Sequence, residues 1–192
     1  SFYGLRGEAL TERPYLRELA ALARDSGDTA FQAVATHAVA GYWFFGHGRY
    51  HHATRAYERA LALYPDNLQQ RIGTLSSFDL RVVAHANRAW ALAYSGRLDS
   101  TLHHSNQALA LARQQEHPYS EALALIYATK FRVIRGEVQA VTPLTGKLLA
   151  MCEEYGFESL LPGIEAYEGW AEIQRGHTAS LARLRRSFET FR

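Results

Sequence analysis

Apolar side chains recur along this chain at helical spacing. Leu98, Leu102, Ser105, Leu109 and Ala112 advance by four, three, four and three residues. Val138, Val141, Leu144, Leu148, Met151 and Tyr155 trace a similar stripe. Such spacing puts each set on one face of an α-helix, with polar residues opposite. Other stretches are apolar nearly all round, among them Val82-Val83-Ala84 and Ala89-Trp90-Ala91-Leu92-Ala93-Tyr94. These predict helices covered by neighbours on two sides. Period-two alternation of β-branched residues is almost absent, so no strands are predicted. The 30 alanines, with many Leu, Arg, Glu and Gln, favour helix throughout.

The breaks in this pattern are regular. Gly7, Gly48, Gly96, Gly136 and Gly176 each separate two apolar helical stretches, at intervals of 41, 48, 40 and 40 residues. A second set of breakers lies between them, at 25–28, from Pro65 to Ser77, at 116–118 and at Gly156. Each repeat therefore reads helix, short glycine turn, helix, longer turn. About 40 residues hold two helices of roughly 16 residues, each about 25 Å long. A fixed period of this size predicts an α-solenoid in which stacked pairs share a core. The expected layout is one domain over 1–192. It comprises a preceding helix within about 7–27, helix pairs at 28–66, 78–116, 118–156 and 157–192, and a longer loop at 66–77. Pro162 suits the first turn of its helix. Pro143 predicts either a helix start, with Thr142 as cap, or a kink.

Composition narrows the class. Hydrophobic residues make up 47% and charged residues 21%, which excludes a disordered chain. No run approaches the roughly 20 apolar residues that span a bilayer, and no signal peptide is legible at the start. With 21 Lys and Arg against 19 Asp and Glu, the net charge of +2 is too small for a nucleic-acid footprint. The single Cys152 excludes an internal disulfide framework. A start at Ser1 and an end at Arg192 inside a helical pattern are expected of a segment of a longer chain. An apolar face near Phe188 and Phe191 is expected to await a further repeat.

Gly41-x2-Phe44, Ala53-x3-Tyr57, Ala60 and Pro65 together resemble a tetratricopeptide repeat (TPR). The second pair keeps Ala89, Leu92 and Ala108 but has Thr101 and Ser105 where Ala and an aromatic are usual. The last two keep mainly the glycine spacing, with Gly169 at the small position. This resemblance implies a right-handed solenoid of antiparallel helix pairs, a TPR-like superhelix. A narrower one rests on Leu5-Arg6-Gly7-Glu8, Arg88-Ala89-Trp90-Ala91-Leu92, His117-Pro118-x-Ser120-x-Ala122, Glu154-Tyr155-Gly156-Phe157 and Gly169-Trp170-Ala171. In that order they resemble the C-terminal repeat region of large bacterial signalling proteins. There, such repeats follow a signal-transduction ATPase headed by a cyclase, kinase or winged-helix DNA-binding domain. This implies a cytoplasmic sensor or partner-binding arm. It carries over no ATPase activity, since these residues contain no Gly-x4-Gly-Lys-[Ser/Thr] loop.

Candidate chemistry is sparse. His47 and His51 are four apart, but Gly48 between them breaks the shared face that ligation needs. The His51-His52 and His103-His104 pairs have no accompanying metal motif. Cys152 reads as structural, because the following Glu153 and Glu154 disfavour a thiolate. Adjacent helix carboxylates do not converge across a cleft. Arg183, Arg185, Arg186 and Arg192 are too local for nucleic acid. No catalytic residue, metal or cofactor is expected, and no membrane contact.

The stronger candidate is a concave groove. Counting back six residues from each turn glycine gives Tyr42, Trp90, Lys130 and Trp170. Helical spacing adds Phe45, Asn87, Tyr94, Tyr127 and Tyr167. Polar-tipped aromatics with one cation suit a peptide, a protein partner or a small effector. Packing between repeats is the competing role. Two other functions stay open: a structural, self-associating arm, and a histidine-based metal-dependent enzyme.

Overall fold

The computed structural model describes residues 9–72, 78–177, 180–182 and 185. Among them all regular structure is helical. The order is α1 (Ala9–Asp25), α2 (Thr29–Gly41), a π turn (Tyr42–Gly46), α3 (Tyr50–Leu63), α4 (Leu68–Ile72), α5 (Leu80–Tyr94), α6 (Leu98–Gln114), α7 (Pro118–Ile134), α8 (Val138–Tyr155), a 3-10 turn (Glu158–Leu160) and α9 (Leu161–Gln174). No described helix is long and apolar enough to cross a membrane. The chain divides into two compact units, Ser1–Gln114 and Gln115–Arg192.

Local chemistry sets the helix ends. The Asp28 carboxylate accepts from the Ala30 N–H at 2.8 Å and starts α2. Asp79 does the same for α5, accepting from Arg81 N–H at 2.6 Å and Val82 N–H at 3.3 Å. His117 caps α7 through Nδ1, which accepts from the Ser120 N–H at 3.2 Å, and Pro118 occupies the first turn. These side chains satisfy amide donors that the helix leaves open at its start. At the turns after α5 and α7, Gly96 and Gly136 take φ of 74° and 70°, a left-handed conformation that a Cβ disfavours.

In the first unit, α2 packs on α3, α3 on α5, and α5 on α6. Ala40, Phe44, Ala53, Tyr57, Ala84 and Ala91 form its buried centre. The alanines let helix backbones approach closely, and Phe44 and Tyr57 fill the remaining volume. In the second unit α7, α8 and α9 pack against one another, burying Leu125, Val141, Leu148 and Ile164. Thr101 and Thr129 are fully buried. Each hydroxyl donates to the carbonyl four residues before it, at 2.9 and 2.8 Å, so neither hydroxyl is stranded.

Two expectations change. The stretch 66–77 contains the short helix α4, whose Leu68 is buried against Ala30 and flanked by Val34, Tyr64 and Leu80. One well-placed leucine is enough to dock that turn. Of the two alternatives for Pro143, the helix start capped by Thr142 is excluded, because α8 begins at Val138 and runs through it. Pro143 lies early in the helix and is exposed. The Gln139 carbonyl, which loses its usual N–H partner there, belongs to another exposed residue. Phe188, Phe191, Arg183, Arg186 and Arg192 lie outside the described residues.

Candidate functional site

The glycine count misplaces one ladder position. Between α2 and Gly48 the chain makes a π turn, Tyr42–Gly46, which adds one residue to a helical turn. Residues before it are therefore out of phase with Gly48. Tyr42 turns inward and is buried, with its ring edge-on to Trp43 at 5.1 Å and to His47 at 4.3 Å. Asn87 is also buried, within α5. Neither presents surface to a ligand, so both leave the groove set.

Three of the remaining candidates meet on the first unit. Trp90 bridges Phe45 and Tyr94, with ring centroids 6.0 and 5.9 Å away. The inner side of Trp90 rests on buried Phe44 at 4.8 Å. Its half-buried ring thus links core to surface. Phe45 is 42% exposed and Tyr94 45%. Tyr50, at the start of α3, stacks on Tyr94 at 4.9 Å. The sequence pattern passes over Tyr50, although its place two residues after a turn glycine is a usable signal. Tyr50 and Tyr94 also border a shallow depression of about 350 Å³ with Arg49 and His51. The result is a continuous aromatic surface anchored in the core.

On the second unit, Tyr127 and Lys130 lie on α7, and Tyr167 and Trp170 on α9. All four are half-buried. Burial lowers the Lys130 ammonium pKa to about 8. Burial also raises the Tyr127 hydroxyl to about 12, with Tyr119 adding to the effect. Within each helix the two residues are three apart and share a face.

His47 lies just past the π turn while His51 is on α3, so the two do not share a helix. His85 and His104 join α5 to α6 through their Nδ1 atoms, 3.0 Å apart. Burial, with Arg88 adding to it, holds both pKa values down to about 4. Among the described residues no three His, Cys, Asp or Glu side chains converge as a metal-binding group. Cys152 is buried, and burial raises its thiol pKa. Glu153 and Glu154 beside it are exposed.

Compared with protein-family models, with curated proteins and with solved structures, the chain matches none.

Proposed function

We propose that the chain is a non-catalytic binding module built of TPR-like repeats. It is read as a right-handed α-solenoid of antiparallel helix pairs in a larger bacterial signalling protein of the cytoplasm. Support for the repeat comes from burial. The residues five, nine and twelve positions after Gly48 are Ala53, Tyr57 and Ala60; after Gly96 they are Thr101, Ser105 and Ala108; after Gly136 they are Val141, Thr145 and Leu148. All nine are buried. Side-chain type changes from pair to pair while the buried positions do not, as expected when one packing scheme is reused.

The observation that carries the binding role is the Phe45–Trp90–Tyr94 surface with Tyr50 stacked on it. Large rings left partly in water, yet held rigid by a buried neighbour, offer contact area at small entropic cost. A peptide or protein partner fits this open surface better than a molecule needing enclosure. The test is a tethered peptide library read by tryptophan fluorescence. Phe45→Ala and Tyr94→Ala should abolish the binders found while leaving the helical signal and its thermal midpoint nearly unchanged. Binders that survive both substitutions would refute the assignment. Sedimentation of the same variants addresses self-association. A dimer lost on Tyr94→Ala would give the surface to a second copy of the chain.

A further inference from the structure

A second groove on the first unit has a different character. It runs between α1 and α3 over α2, has a volume of about 450 Å³, and falls within the size range of small-molecule sites. Ala23, Ala35, Val39 and Ala56 form part of an apolar lining, and Trp43 and His52 line it as well. Their rings lie 5.1 Å apart. The small alanines keep the space open, because no longer side chain reaches across it.

The charge around this groove is one-sided. Arg24 on α1 and Arg55 and Arg59 on α3 line it, and no acidic residue does. Three other arginines of the unit are paired: Arg71 with Asp28, Arg81 with Asp79, Arg88 with Glu58. The three groove arginines have no ion-pair partner among the described residues. Unpaired guanidiniums gathered beside an apolar cleft provide planar, forked donors suited to carboxylate, sulfonate or phosphate oxygens. The π turn that holds Trp43 is a departure from regular helix at the groove. Such single turns recur at functional sites.

We propose that this groove binds a small amphipathic anion. The aromatic or acyl body lies on the alanine lining against Trp43, and the anionic group is held by Arg24, Arg55 and Arg59. The site is separate from the Phe45–Trp90–Tyr94 surface and does not depend on it. The groove is half open, and its volume of about 450 Å³ matches a small molecule, whereas an acidic peptide would leave much of its length outside.

Two fluorescent probes of nearly the same body test this. One is 8-anilinonaphthalene-1-sulfonate, and the other is its uncharged counterpart N-phenyl-1-naphthylamine. The sulfonate should bind the folded chain at a single saturable site, at least tenfold tighter than the neutral probe. Arg24→Gln, Arg55→Gln and Arg59→Gln combined should weaken the sulfonate at least tenfold and leave the neutral probe within twofold. Ala20→Phe, which fills the groove without changing charge, should weaken both probes. Circular dichroism confirms that each variant is folded, and Ala20→Phe alone tests the groove if the triple variant unfolds. Equal affinity for the two probes, or sulfonate binding unchanged in the arginine variant, would overturn the proposal. So would displacement of the sulfonate by a Glu-rich decapeptide at lower concentration than by 1-naphthalenesulfonate, since that reassigns the groove to a protein partner. Loss of binding here with intact binding at the aromatic surface, or the reverse, separates the two proposals.

Discussion

Burial of His37 should make the stability of the first unit depend on pH, in a window where most carboxylates remain ionised. Its Nδ1 lies 2.7 Å from the Tyr64 hydroxyl, and its ring sits edge-on to the buried Tyr57 at 5.4 Å. Burial lowers its pKa from 6.5 to about 4. A base whose folded pKa is depressed binds fewer protons than in the unfolded chain. Its contribution is therefore complete above the unfolded value of about 6.5 and is lost as pH falls toward the folded value. The full shift corresponds to about 3 kcal/mol. By pH 5 the linkage relation puts the loss at about 2 kcal/mol, because the unfolded imidazole is then almost wholly protonated. The informative variant is His37→Gln, whose amide still forms a hydrogen bond with Tyr64 but takes up no proton. Urea unfolding followed by circular dichroism at pH 7 and pH 5 gives the comparison. The parent should lose about 2 kcal/mol more than the variant across this interval. His85 and His104 add a loss of the same sign to both proteins, so the difference isolates His37. Equal losses in the two proteins would refute burial as the source of the shift.

Leu148 is completely buried in the second unit, so Leu148→Ala should cost about 2–5 kcal/mol in urea unfolding; a loss under 1 kcal/mol would mean the site collapses freely. Asp79→Ala removes the cap on α5 and should cost about 1–2 kcal/mol, with faster amide exchange confined to Arg81 and Val82. Gly136→Ala should destabilise by about 1 kcal/mol, because its φ of 70° is strained for an L residue although an added Cβ meets nothing within 4 Å. Cys152, buried and with its thiol pKa raised, should react with iodoacetamide far more slowly in the native chain than in urea; equal rates would show that the α8 packing opens readily.

Periodicity, glycine spacing and caps are local properties, and from them the sequence by itself determined the helical class and most helix positions. Gly96 and Gly136 mark turns because the left-handed conformation is decided within a residue or two. Buried positions after Gly48, Gly96 and Gly136 are legible for the same reason, since helical phase carries over a few residues. Phase also explains the failures. The π turn at Tyr42–Gly46 adds one residue, and nothing in Tyr-Trp-Phe-Phe-Gly announces it; tertiary packing of those rings decides which of them enters the core. Asn87 shares the expected face of its helix, yet the neighbouring helices cover it. The arginine-lined groove was beyond sequence reading altogether. Arg24 and Arg59 are 35 residues apart, on separate helices, and only the placement of α1 and α3 across α2 makes them neighbours. Charge convergence of that kind depends on how helices dock, which the spacing of residues along one helix does not encode.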